Sequence, residues 1–141
     1  MKKTILLFSI LIFVLLGCAK KERLTYEVEE IKNEFVDFKF IKDNNGDMIV
    51  EFINKQQEEV TTSSDNNFKI YKIENESELK EIDNPLDYKD IALIIRPQEG
   101  IKQKIRLSKL ISNLSKGKYE IRKSFDYEEK TFESSLRFTI K

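Results

Sequence analysis

The residue best suited to covalent chemistry in this chain is Cys18, its single cysteine, preceded by the small Gly17 and by an apolar run from Ile5 to Leu16 broken only by Ser9. A thiolate is a strong nucleophile, and a small residue before it lets the backbone enter a protease cleft. The chain has no histidine. That excludes Ser-His-Asp and Cys-His nucleophile systems, a histidine-bearing zinc site and c-type haem attachment. Carboxylates are plentiful, among them Glu58, Glu59, Asp87, Asp90, Glu128 and Glu129. A pair of them could do acid–base work only if folding brought two within catalytic distance, and scattered surface placement explains them better. There is no nucleophile elbow, no glycine-rich phosphate cradle and no metal-ligand spacing. The expectation is no catalysis, no cofactor and no metal.

The surroundings of Cys18 say what its thiol is for. Lys2 and Lys3 give a positive start, which tends to stay cytoplasmic. The apolar run is the length of a signal-peptide core and short of the ~20 residues that span a bilayer. The segment ends in Leu15-Leu16-Gly17-Cys18, then Ala19 and the charged Lys20-Lys21-Glu22-Arg23. Leu-Leu-Gly-Cys resembles the lipobox of bacterial lipoproteins at all four positions. The resemblance implies a diacylglyceryl group on the Cys18 sulfur and cleavage between Gly17 and Cys18, so that residues 1–17 are a signal peptide. It also implies a cell-envelope protein tied to a membrane by lipid, and Ala19 resembles the residue of lipoproteins sent to the outer membrane of a two-membrane cell. Two or three acyl chains suffice for stable attachment. With Cys18 so used, no disulfide remains for the domain beyond it.

Lys and Arg number 25 and Asp and Glu 25. Once Lys2 and Lys3 leave with the leader the balance is slightly acidic, which is no footprint for nucleic acid. The chain beyond the leader is long enough for one domain with a real core, hardly for two.

Residues 18–34 read as a charged tether. Leu24, Val28, Ile31, Phe35 and Phe38 also recur at helical spacing, so a short amphipathic helix competes with that reading. From residue 35 the signal is strands. Phe35–Ile41 is aromatic and β-branched, Asn45-Gly46 suits the centre of a tight hairpin turn, and Met48, Val50 and Phe52 then share one face. The Asp43–Asp47 stretch lacks the glycine and glutamate positions of a calcium loop. Residues 54–67 are a polar connection, and Phe68–Ile73 is a strand. Residues 74–83 are a strand or one to two helical turns, with Leu79 and Ile82 facing inward. Ile91–Ile95 is an unbroken apolar run, as in a buried strand, ended by Pro97.

The last forty residues alternate most clearly. Ile101, Gln103, Ile105 and Leu107 share one face, as do Tyr119, Ile121, Lys123 and Phe125, and Phe132, Ser134, Leu136, Phe138 and Ile140. Period two with one apolar side means half-buried antiparallel strands, the last pair joined as a hairpin through residues 126–131. About seven such strands predict an all-β antiparallel sandwich over residues 35–141.

Leu114-Ser115-Lys116-Gly117-Lys118-Tyr119 precedes the penultimate strand. Leu114, Gly117 and Tyr119 have the spacing of a tyrosine corner, in which the glycine takes the bend, the ring is buried and the hydroxyl bonds back to the upstream backbone. Together with Glu120-Ile121-Arg122-Lys123, this segment resembles the Leu-x-x-Gly-x-Tyr-Arg-x-x-Lys run of a bacterial immunoglobulin-like domain of lipoproteins and secreted proteins. The chain has no Trp, where that family often carries one after its third strand and this chain offers Leu79. The resemblance implies an Ig-like sandwich at the cell envelope and assigns no activity. The expected role is a non-catalytic binding or assembly module for a protein partner, with the 54–67 and 83–90 loops as candidate surfaces. The alternative is an inhibitor or immunity lipoprotein that blocks an enzyme or toxin through a loop.

Overall fold

The computed structural model describes residues 25–141. The expected leader, with Gly17 and Cys18, and the start of the expected tether therefore lie outside the described residues. Among the described residues no helix is long and apolar enough to cross a membrane.

Among the described residues ten strands pair antiparallel into two sheets. They are β1 (Tyr26–Glu30), β2 (Val36–Asn44), β3 (Asp47–Asn54), β4 (Val60–Thr62), β5 (Lys69–Asn75), β6 (Glu78–Ile82), β7 (Leu93–Ile95), β8 (Gly100–Ile105), β9 (Gly117–Tyr127) and β10 (Lys130–Ile140). The small sheet is β2-β3-β8. The large sheet runs β1-β10-β9 and then forks. Beyond β9, Lys118–Arg122 pair with β5 and its hairpin partner β6. Phe125 and Asp126 pair with β4, which is followed by β7. Among the described residues the only helical turns are α1 (Leu107–Leu110) and a 3-10 turn at Ile111–Asn113, which carry the chain from β8 in one sheet to β9 in the other.

The core is the space between the inward faces. Met48, Val50 and Phe52 of β3 and Val36 and Phe38 of β2 face Tyr119, Ile121 and Phe125 of β9 and Leu136, Phe138 and Ile140 of β10, all at 2 % exposure or less. Phe52 meets Phe125 across the sheets with ring centroids 5.2 Å apart, and Tyr119 stacks on Phe138 at 5.3 Å. Burying each such side chain contributes roughly 1.5–3 kcal/mol. The alternation read along the last forty residues is the alternation observed.

The tight turn between β2 and β3 is Asn45-Gly46, with φ of 55° and 92° and Asn44 opposite Asp47. A second two-residue turn with positive φ, 47° and 61°, is Glu128-Glu129 between β9 and β10. Asn and Gly accept that region readily, whereas a glutamate there strains its Cβ by about 1–2 kcal/mol. Glu128→Asn with Glu129→Gly is expected to raise the unfolding free energy by about 1–2 kcal/mol. A thermal melt showing a decrease would mean that contacts of the two glutamates hold the tip.

Four expectations are corrected. Residues 26–30 are neither helix nor tether: they form β1 on the free edge of β10, so the sheet starts about nine residues earlier than the expected boundary at 35. Tyr26 and Val28 alternate as well as they fit a helical stripe, and pairing with β10 decides between the two. Residues 74–83, read as a strand or as helical turns, hold the end of β5 and all of β6, and of the two side chains expected inward Leu79 is instead 38 % exposed. The polar 54–67 connection contains β4, whose Val60 and Thr62 are buried. Ile91–Ile95 is not a buried strand, because only Leu93–Ile95 pair and Ile94 is 58 % exposed.

Candidate functional site

Lys123 lies on the inward face of β9 between Ile121 and Phe125 and is only 1 % exposed. A charge placed there must find partners. Its Nζ donates to the Ser64 carbonyl at 2.5 Å and the Asn67 carbonyl at 2.9 Å, so a core lysine ties down the loop of residues 63–67. Burial pushes the ammonium pKa down to about 8, against a small upward pull from Asp65. Gln103 of β8, also buried, donates to the Ser63 carbonyl at 3.1 Å. Thr62 Oγ1 donates to the Ser124 carbonyl at 2.7 Å.

That loop is in turn bound to residues 84–89. Asn84 Nδ2 donates to the carbonyls of Asn66 and Phe68 at 2.8 and 3.0 Å. Asn66 Nδ2 donates to the Asp87 carbonyl at 3.0 Å, and Ser64 Oγ to the Lys89 carbonyl at 2.5 Å. Asn and Ser side chains satisfy backbone groups here that no strand ladder reaches. The two segments expected as separate candidate surfaces therefore form one face at one end of the sandwich. Tyr88 and Ile91 stand on it at 54 and 48 % exposure, and Ile94 of the adjoining β7 is 58 % exposed. Shallow depressions of about 340 and 380 Å³ lie on either side of Ile91. Such an apolar cluster with a polar rim suits a macromolecular contact better than a small ligand.

The chain carries a second polar cluster on the outer face of the large sheet. Glu120, 3 % exposed, is held by Arg122 Nε at 2.7 Å and by Arg137 Nε of the facing strand at 2.9 Å. Burial pushes the Glu120 carboxyl up, but the hydrogen bonds and charges of Arg122 and Arg137 outweigh it and hold the pKa below the ordinary range. Arg122 also lies over the Tyr71 ring, 4.7 Å from its centroid. The adjoining depression, about 630 Å³, mixes Glu29, Glu74 and Glu76 with these cations and with Lys118, and so selects no ligand charge. A carboxylate kept ionised by two arginines is unsuited to donate a proton near neutrality.

Of the carboxylates noted in the sequence, Asp87 and Asp90 belong to the loop face, Glu58 and Glu59 to the turn before β4, and Glu128 and Glu129 to the β9–β10 tip. Among the described residues no group of three or more metal-ligating side chains comes together. Cys18 and Gly17 lie outside the described residues. Lys123 was missed as a site residue, yet period two had already put it on the apolar face.

Leu114, Gly117 and Tyr119 meet where the chain enters β9. Leu114 packs against the core, Gly117 has φ of 145°, and the Tyr119 hydroxyl donates to the Ser115 carbonyl at 2.6 Å. Tyr119→Phe keeps the ring and leaves that carbonyl without its donor. It is expected to lower stability by roughly 1–2 kcal/mol in denaturant melts. No loss at all would mean that water replaces the hydroxyl.

The architecture is an all-β sandwich of antiparallel sheets. Residues 25–137 match the bacterial Ig-like domain family, and the chain belongs to it. No curated protein matches the chain. A protein of Archaeoglobus fulgidus with a solved crystal structure aligns at 15 % identity over 77 % of this chain and 97 % of its own, with a TM-score of 0.30, a likeness too loose to carry an argument.

Proposed function

We propose that this chain is a lipid-anchored, non-catalytic module of the bacterial cell envelope that binds a protein partner through the face built by residues 63–67 and 84–94. The observation that carries this reading is that face itself. Two loops distant in sequence are fastened by side-chain hydrogen bonds and by a buried lysine, and Tyr88 and Ile91 stand out beside them, with Ile94 on the adjoining β7. A preorganised surface loses little conformational freedom on binding, and exposed aromatic and aliphatic anchors are where binding energy concentrates. Leu15-Leu16-Gly17-Cys18 supports the anchor, with the Cys18 sulfur lipidated and the chain then cut between Gly17 and Cys18. Ala19 favours the outer membrane where the cell has two. Leu114, Gly117 and Tyr119 serve as the tyrosine corner that sets β9, which in turn carries Lys123 under the face.

The test is capture of partners by the intact membrane protein, wild type against Tyr88→Ser with Ile91→Ser. Losing two anchors should weaken partner retention at least about tenfold, with acyl labelling at Cys18 and the thermal melt unchanged. Undiminished capture by the double variant would sink the reading. Stoichiometric inhibition of a captured enzyme would turn it toward the inhibitor or immunity role.

A further inference from the structure

Every edge of the two sheets can be judged by what protects it. An exposed edge strand invites pairing with another strand unless charge, proline or a bulge prevents it. β1 carries Glu27, Glu29 and Glu30, and β8 carries Lys102 and Lys104. β6 carries Glu78, Lys80 and Glu81, and β2 carries Lys39 and Lys42 together with a bulge at Ile41. β7 differs. It pairs with β4 on one side and, among the described residues, with no strand on the other. β7 and the two residues before it, Ile91 and Ala92, bear no charge at all, and Ile94 is the most exposed large apolar side chain of the described chain.

The residues flanking this run are complementary to themselves. In an antiparallel pair of two β7 edges centred on Leu93, Leu93 faces its own symmetry mate and Ala92 faces Ile94. Continued past the paired residues, the same register sets Asp90, at the turn that the Ile91 N–H closes on the Lys89 carbonyl at 2.9 Å, opposite Arg96 at each end. A two-fold axis needs such a self-complementary patch, and opposite charges directly across an antiparallel pair favour it, as like charges would oppose it. The like-signed edges of β1 and β8 lack this property.

We infer that the β7 edge pairs antiparallel with the β7 edge of a second copy of this chain, joining two large sheets into one continuous sheet across a two-fold axis. This rests on the proposed docking face and names its partner. The contact is short, so the dimer is weak in dilute solution. Confinement of the chains to one membrane plane raises their effective concentration and favours it.

The experiment uses the full-length protein in its membrane, with single cysteines introduced at the edge and disulfide formation followed on non-reducing gels. Leu93→Cys should give a band at twice the mass at least about tenfold more readily than Ala92→Cys, whose mate lies two positions away across the pair. The parent chain, with Cys18 alone, sets the background. In the Leu93→Cys background, Asp90→Arg or Arg96→Asp alone should cut the dimer about tenfold, because each sets two like-charged pairs opposite one another. The two together should restore it. Both positions are exposed, so neither substitution disturbs the core. Equal cross-linking at positions 92 and 93, or no recovery in the charge-swapped double variant, overturns the inference. If partner capture still depends on Tyr88 and Ile91 when that happens, self-pairing alone falls and the docking reading stands.

Discussion

Between pH 8 and pH 10.5 the domain is expected to gain stability relative to its Lys123→Met variant by about 3 kcal/mol, at ~1.4 kcal/mol per pKa unit. Lys123 is buried with its pKa pushed down to about 8, against 10.5 for an ordinary lysine. Over that interval the unfolded chain holds a proton that the folded chain has shed, so stability rises with pH. Below pH 8 both states are charged, and the folded state bears the whole burden of burying an ammonium. The neutral amine still has two donors for the carbonyls of Ser64 and Asn67, so the loop keeps its ties as the charge is lost. Lys123→Met relieves the burial of charge but leaves those carbonyls without donors, at roughly 1–3 kcal/mol each. Near neutrality the two effects roughly offset, and at pH 10 the variant should be clearly the weaker. Urea melts at four pH values give the answer, with the other titrating groups cancelling in the difference. If the wild-type and variant curves stay parallel from pH 7 to 10, the buried ammonium is not under the stated strain.

Leu136→Ala is expected to lower the unfolding free energy by roughly 2–5 kcal/mol through the cavity it leaves. Leu136 is fully buried and sits opposite Ile121 in the β9–β10 ladder, on the face that meets the small sheet. Its neighbour Arg137 faces outward and would be dispensable on alternation alone. Its Nε, however, holds the buried Glu120 carboxylate. Arg137→Ala should therefore lower stability by about 1 kcal/mol, discounted for its partial exposure and for the hold that Arg122 retains. Guanidinium chloride melts of both variants check the register directly. A larger loss for Arg137→Ala than for Leu136→Ala would put β10 out of register.

Elements made of long period-two runs were legible because a half-buried strand writes its environment into every second residue. That is why the inward faces of β3, β9 and β10, and the Asn45-Gly46 turn, stand where alternation and turn chemistry placed them. The inward position of Lys123 was legible for the same reason, although what it bonds to was not. β1 was not legible, since five residues with two apolar positions fit a helix or a strand equally and only the vacant edge of β10 chooses.

By itself, then, the sequence determined the class of fold and the register of its long strands, because local periodicity suffices for these. The tertiary structure alone decided the fork of the large sheet, the exposure of β7 and the union of the two loops into one face. An apolar run such as Ile91–Ile95 reads the same whether one edge or both are covered. What covers it is settled by strands far away in the chain, and the bonds from Asn84, Asn66, Ser64 and Lys123 join residues whose proximity no local pattern encodes.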